Sequence, residues 1–162
     1  MKPRIDFEKL APPEAVRPLF LLGQYIDKCG LETSLMDLMK LRASQVNGCA
    51  YCIDMHTKDA RARGETEQRL YELDAWRETP FYTDRERAAL AWTEAVTLVA
   101  KDHVPDDVYE ETRNQFTEIE LLNLTLVVIA INAWNRVCIA SRVVPGAYQP
   151  VGLAASNKPS GA

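Results

Sequence analysis

The sequence predicts an all-α fold, a single-domain bundle of about seven helices, because three observations agree. Apolar residues recur at spacings of three and four, as they do on one face of a helix. Thr83 with Glu86, and Thr117 with Glu120, have the spacing of capping boxes, in which a hydroxyl and a carboxylate bind the free amides of a helix start. No stretch alternates apolar and polar residues in the manner of a half-buried strand.

The first half of the chain predicts four helices. They cover residues 14–29, 34–46, 49–63 and 66–76. Gly30 and Gly64 are placed to end the first and the third, because glycine readily takes the left-handed conformation that closes a helix. Asn47 and Gly48 break the chain between the second and the third.

The second half predicts three more helices. They cover residues 83–100, a segment from 105 onward, and 117–143. Pro105 is a favourable first helical residue, and Asp106 and Asp107 stabilise the positive end of the helix dipole. The last helix is expected to stop before Pro145 and Gly146.

Composition restricts the class of protein. With 162 residues and 47% apolar content, the chain can form one core, over residues 1–148, followed by a tail at 149–162 rich in small residues and proline. The net charge of −4 argues against binding to nucleic acid or to an anionic membrane surface. The apolar stretch at 121–133 contains Asn123, Thr125 and Asn132, and is too short and polar to span a bilayer. The polar start of the chain carries no secretion signal, so we expect a cytoplasmic location.

The segment that carries most chemistry contains Cys49, Cys52 and His56. Residues three and four apart share one face of a helix, so the two thiols and the imidazole are expected to meet. A helix N-terminus lowers the pKa of a thiol, and thiolate is the form that attacks peroxides and disulfides. Four cysteines without a secretion signal favour a reactive pair over structural disulfides. His56 is placed to accept a thiol proton directly or through water.

Other interpretations of this segment remain open. A structural zinc site needs four ligands, and Cys49, Cys52 and His56 supply three. Attachment of a c-type haem needs histidine directly after the second cysteine, where Ile53 stands. The three residues can also be buried together by chance. Cys29 and Cys138, in apolar segments, are predicted to be small core residues.

Asp37 extends the motif upstream, because eleven residues separate it from Cys49. The pattern of a carboxylate, eleven residues, Cys-x-x-Cys, three residues and His resembles the AhpD-like alkylhydroperoxidases of the carboxymuconolactone decarboxylase superfamily. The match is strongest between residues 37 and 64 and looser elsewhere, including residues 131–136. Asp37 replaces the glutamate usual in the family, and Tyr51 replaces a histidine found in the best-known peroxidases.

The resemblance implies an all-helical, cofactor-free enzyme that assembles as a homo-oligomer, a trimer or a hexamer. It implies that Cys52 attacks a hydroperoxide and that Cys49 resolves the resulting sulfenic acid to a disulfide. His56 would take the thiol proton, and Asp37 would hold and polarise His56. A lipoylated protein or another dithiol protein would then reduce the disulfide.

Two alternatives remain beside the peroxidase. An enzyme of the same fold can decarboxylate or isomerise a lactone, although members with that chemistry generally lack the cysteine pair. A redox-sensing or zinc-binding module without turnover is the other. Tyr51, a poor base at neutral pH, predicts peroxidase activity weaker than that of members with histidine at this position.

Overall fold

Helices form all the regular structure of residues 1–150, which are the residues that the computed structural model describes, apart from the side chain of Glu8. The α-helices of this part of the chain are α1 (Phe7–Leu10), α2 (Pro13–Ile26), α3 (Thr33–Asn47), α4 (Ala50–Ala62), α5 (Glu67–Glu72), α6 (Asp84–Thr97), α7 (Val99–Asp102), α8 (Asp106–Gln115) and α9 (Glu118–Ser141). A 3₁₀ segment, Leu73–Glu78, follows α5 directly. The predicted all-α class is confirmed.

The structure divides the predicted helices more finely at two places. The helix predicted over 83–100 breaks at Leu98, where φ is −98° and ψ is 23°, so that α7 is a separate short helix. The helix predicted over 66–76 becomes 3₁₀ after α5 and is interrupted at Ala75. Arg87 makes this irregular end possible, because its guanidinium donates to the main-chain carbonyls of Trp76 and Thr79, at 2.8 and 3.2 Å.

Both predicted capping boxes are present. The Thr83 amide donates to the Glu86 carboxylate at 2.9 Å, and the Glu86 amide donates to the Thr83 hydroxyl at 3.2 Å. The Thr117 and Glu120 pair is arranged in the same way, at 2.8 and 3.3 Å. These local signals therefore fix the starts of α6 and α9.

The core is built around α3, α6 and α9. One apolar cluster joins α2, α3, α6 and α9 and includes Ile26, Met39 and Leu124. A second joins α3, α6 and the 3₁₀ segment and includes Leu38 and Leu73. By length and composition alone α9 could cross a membrane. It packs against α2, α3, α4, α6 and α8, as the core helix of a bundle does, and it does not indicate a membrane protein.

Candidate active site

The turn between α3 and α4 places the cysteine pair. Gly48 closes α3 in the left-handed conformation, with φ of 67°. Its amide and that of Cys49 donate to the carbonyls of Gln45 and Ser44, at 3.0 and 2.9 Å. Cys49 is therefore the N-cap residue of α4, and Cys52 lies in the first turn. The pair occupies a helix N-terminus, as the sequence predicts, where unpaired amides favour a thiolate.

A third thiol joins the pair. The sulfur atoms of Cys49, Cys52 and Cys138 all lie within 4.8 Å of one another, and we call these three residues the three-sulfur cluster. Cys138 comes from the C-terminal part of α9, where α9 packs against α4. The sequence predicts a core residue at this position, and no local pattern links it to the pair. Cys29, by contrast, packs against the first apolar cluster, as predicted.

The three thiols of the three-sulfur cluster differ in pKa, because each has different neighbours. The thiols of Cys138 and Cys52 face the Cys49 sulfur and stabilise its negative charge, so they lower the pKa of Cys49 well below its ordinary value. The same contacts raise the pKa of Cys52, and the neighbouring Cys49 raises that of Cys138 to about 11. These contacts therefore favour the thiolate form at Cys49 over Cys52 and Cys138.

His56 lies on α4, one turn after Cys52, and is 9% exposed. Its Nε2 is buried and has no hydrogen-bond partner among the residues that the structure describes. Burial, reinforced by the charges of Lys40 and Arg63, lowers the pKa of His56 to about 3. The imidazole is therefore neutral at physiological pH and has a polar atom available to a reactant.

Asp37 is buried on α3, where it forms an ion pair with Arg63. The Nη1 of Arg63 donates to both carboxylate oxygens, at 2.8 and 2.9 Å. Burial raises the pKa of Asp37, and the Arg63 charge opposes that shift. Within residues 1–150 no hydrogen bond joins Asp37 to His56. Asp37 and Arg63 instead line a small cleft with Thr33 and Ser34. The predicted relay from Asp37 to His56 stays a prediction.

A network of buried amides ties α9 to the turn before the cysteine pair. Asn47 donates to the side-chain oxygens of Asn132 and Asn135, at 3.0 and 2.8 Å. Asn135, which is fully buried, donates in turn to the Ser44 hydroxyl at 3.1 Å. Each unsatisfied buried amide would cost about 1–3 kcal/mol. These bonds therefore hold the end of α3, and with it Cys49, against α9.

The chain after α9 runs along α4. The Tyr148 hydroxyl donates to Asp59 at 2.7 Å, and Lys58 donates to the carbonyls of Gly146 and Tyr148, at 3.2 and 3.1 Å. The segment therefore covers the face of α4 that carries Lys58 and Asp59. The predicted tail at 149–162 lies, from residue 151 onward, outside the described residues.

The chain is an all-helical bundle with a cysteine pair at a helix start and a buried histidine one turn later. These features place it among helical proteins that carry a thiol site. The model of the Carboxymuconolactone decarboxylase family matches residues 13–95, which include both cysteines and His56. The chain belongs to this family. It is 42% identical to the uncharacterized protein YdfG of Bacillus subtilis (strain 168) over 140 residues, covering 86% of this chain and 95% of YdfG.

Solved structures share the fold. A protein of unknown function from Agrobacterium tumefaciens, ATU0492, a candidate antioxidant defence protein AhpD, is 43% identical, with a TM-score of 0.84, covering 93% of this chain and 99% of that one. The debrominase Bmp8 is 20% identical, with a TM-score of 0.76, covering 83% and 73%. An uncharacterized peroxidase-related protein from Silicibacter sp. TM1040 is 20% identical, with a TM-score of 0.75, covering 91% and 78%. The last two show likeness of fold alone.

Proposed function

We propose that the protein is a thiol-dependent peroxidase that reduces hydroperoxides through a Cys49–Cys52 redox pair. The observation that carries the proposal is the cysteine pair at the start of α4, whose two sulfur atoms lie within 4.8 Å of each other. The lowered pKa of Cys49 agrees with it. The buried, unpartnered Nε2 of His56 supports it, because a proton must be moved during the reaction. Membership of the family and likeness to the Agrobacterium protein agree with this proposal.

The reaction proceeds in two steps. A thiolate attacks the terminal oxygen of the hydroperoxide, and the O–O bond breaks as the sulfur becomes a sulfenic acid. The departing alkoxide takes up a proton, the one released when the thiolate formed, and leaves as an alcohol. The second thiol then attacks that sulfur, and water leaves as the Cys49–Cys52 disulfide forms. A dithiol protein, lipoylated or otherwise, restores both thiols and takes up the disulfide. No cofactor is needed for these steps, and a reducing cytoplasm suits them.

The order of attack distinguishes two versions of the mechanism. The family resemblance assigns the first attack to Cys52 and its resolution to Cys49. The electrostatics of the three-sulfur cluster favour the thiolate on Cys49. Loss of peroxide consumption in Cys52→Ser but not in Cys49→Ser would support the first assignment, and the reverse pattern would exchange the two roles.

The pair is tested best in the Cys138→Ser background, which removes the third thiol. One molar equivalent of hydroperoxide is expected to make Cys49 and Cys52 inaccessible to a thiol-blocking reagent and to shift the mass by the loss of two hydrogens. Cys29 serves as the internal control and is expected to stay alkylated. If both cysteines remain alkylatable after excess peroxide, the proposal fails.

The relay is tested by two variants of the ion pair. If Asp37 polarises His56, Asp37→Asn slows peroxide reduction more than Arg63→Gln does, because only the first removes the carboxylate. If Asp37 serves only to bind Arg63, both variants lower stability and leave the rate constant per folded molecule unchanged. Rates are compared at equal folded fraction, measured by circular dichroism.

A zinc-binding module is the second candidate, and the three-sulfur cluster is the observation that favours it. Three sulfurs within 4.8 Å match three of the four ligands of a structural zinc site. Metal analysis of the purified chain separates the two candidates. A stoichiometric metal that a chelator removes with loss of folding would support the module, and a metal-free chain that turns over peroxide would support the peroxidase.

A further inference from the structure

We propose that Cys138 is a third redox thiol, which takes over the disulfide from the Cys49–Cys52 pair and presents it to the external reductant. The inference rests on the proposed function, because it names the thiol through which the oxidised pair is reduced. It adds a residue on α9 to a site otherwise built from α3 and α4.

The first support is proximity. The Cys138 sulfur lies within 4.8 Å of both other sulfurs, and a disulfide bond is about 2.05 Å long. Rotation about the side-chain torsions of the two cysteines is the movement that would bring the sulfurs together. The amide network around Asn135 holds α9 beside the turn, so Cys138 remains opposite the pair.

The second support is access. Cys49 and Cys52 are each 1% exposed, whereas Cys138 is partly exposed. Thiol–disulfide exchange requires the attacking sulfur to approach a disulfide sulfur, so its rate depends on access. A dithiol on another protein is too bulky to reach a sealed pair. A disulfide that includes Cys138 involves a residue that is partly exposed to solvent.

The exchange is balanced without any added oxidant. The Cys138 thiol loses its proton and attacks the Cys52 sulfur. The Cys52–Cys138 bond forms as the Cys49–Cys52 bond breaks, and Cys49 leaves with the electron pair as a thiolate. The proton from Cys138 passes to solvent, and the number of disulfides is unchanged.

Attack at Cys52 is favoured over attack at Cys49 because of the leaving group. Cys49 is the N-cap of α4, where the helix dipole and free amides stabilise a departing thiolate. Exchange is faster when the leaving thiolate is the more stable one. The expected product is therefore a Cys52–Cys138 disulfide, from which a donor thiol attacks Cys138.

Peptide mapping tests the linkage. Trypsin releases Cys49 and Cys52 together in residues 43–58, Cys138 in residues 137–142 and Cys29 in residues 29–40. The full chain is oxidised with diamide, which makes disulfides without peroxide chemistry, then quenched with acid and blocked with N-ethylmaleimide. In Cys49→Ser we expect residues 43–58 joined to 137–142, with the chain at monomer position on a non-reducing gel. The matched control is Cys29→Ser made in the same Cys49→Ser chain. It should leave the linkage between residues 43–58 and 137–142 unchanged.

The outcomes separate this proposal from the peroxidase itself. A Cys138 that stays alkylatable in diamide-treated Cys49→Ser would overturn the inference, as would a linkage found only between two chains. Linkage by diamide together with no oxidation by peroxide would overturn the peroxidase and leave the proximity of the thiols intact.

Reduction kinetics test the role of Cys138 in the proposed cycle. Thioredoxin is the probe, and the substrate is the oxidised chain. We expect Cys138→Ser to be reduced about tenfold more slowly than the wild-type chain, because the remaining disulfide is sealed. Cys29→Ser should be reduced at the wild-type rate. Equal rates for the wild-type chain and Cys138→Ser would contradict the relay role.

Discussion

In the three-sulfur cluster, contacts with the other two thiols favour a negative charge on the Cys49 sulfur, and Cys138 supplies part of that stabilisation. The Cys138 thiol is the largest single cause of the lowered pKa of Cys49. We therefore expect Cys138→Ser to weaken that stabilisation, because a hydroxyl in place of the polarizable thiol changes the contact with the Cys49 sulfur.

The measurement is the ultraviolet absorbance of thiolate followed against pH, which needs no reagent to enter the site. The midpoint for Cys49 should lie at higher pH in Cys138→Ser than in the wild-type chain. Cys29→Ser provides the control for loss of an unrelated thiol. Superimposable titrations of the wild-type chain and Cys138→Ser would show that the third thiol does not act on Cys49.

The buried imidazole of His56 makes a prediction about stability. Its pKa is lowered to about 3 from an ordinary value of 6.5. Below the ordinary value the unfolded chain binds a proton at His56 and the folded chain does not, so acid favours unfolding. The contribution of His56 to the free energy of unfolding is therefore complete above pH 6.5. It is lost progressively as the pH falls towards 3.

Chemical denaturation over this pH range, in the wild-type chain and in His56→Gln, isolates the effect from the other titrating groups. The wild-type free energy of unfolding should fall more steeply with acid than that of the variant, by at most about 1.4 kcal/mol per pH unit. Parallel pH profiles would contradict the assignment of a neutral, buried imidazole.

At the scale of the elements, the turn between α3 and α4 depends on one backbone conformation. Gly48 has φ of 67°, and among residues 1–150, apart from its two neighbours in the chain, no atom lies within 4 Å of the position that a Cβ would take. Gly48→Ala should therefore destabilise the chain by about 1–2 kcal/mol through backbone strain alone. The same change displaces the start of α4 and should slow disulfide formation.

Gly23 is the matched control. It lies inside α2, and apart from the backbone of its own helix, a Cβ there also meets no atom of residues 1–150 within 4 Å. Because alanine is the better helix former, Gly23→Ala should stabilise the chain by about 0.5–1 kcal/mol. Thermal unfolding of the two variants should shift in opposite directions. A stabilising Gly48→Ala would contradict the left-handed cap.

The sequence predicts elements best where the signal is local. Both capping boxes and the break at Gly48 involve residues within three or four positions of each other, and both boxes and the break occur as predicted. The break at Leu98 and the 3₁₀ turn after α5 were not predicted. Arg87, which lies on α6, donates hydrogen bonds to main-chain carbonyls of this 3₁₀ turn. No local sequence pattern predicts such a contact.

At the scale of the whole molecule, the site is completed by residues that only the fold brings together. The CxxC spacing and His56 mark the site in the sequence. Cys138, the ion pair of Asp37 with Arg63, and the partners of Asn47 all require helices distant in the chain to pack. An apolar pattern predicts that α9 is buried, but it does not predict which neighbour each of its residues meets.

The assembly expected from the family resemblance makes a prediction at the same scale. Large apolar side chains are exposed on α2 and α9, at Phe20, Leu21, Tyr25, Ile119, Leu122 and Ile129. A trimer or hexamer would bury such surfaces. Analytical ultracentrifugation should give three or six times the 18.3 kDa of one chain.

A charged residue on the exposed apolar surface of α2 and α9 should dissociate that assembly. Ile129→Glu is expected to lower the mass towards that of one chain. Tyr71→Glu, on the exposed side of α5, should leave it unchanged. A wild-type chain that sediments as a monomer at high concentration would contradict the expectation.

The central claim, that Cys49 and Cys52 form a peroxide-reactive pair, is tested most directly by thiol mapping after peroxide. The chain with Cys138→Ser is treated with one equivalent of a hydroperoxide, blocked, digested and weighed. We predict an internal disulfide within residues 43–58 and a reduced, alkylated Cys29. Two alkylated thiols in residues 43–58 after excess hydroperoxide would contradict it.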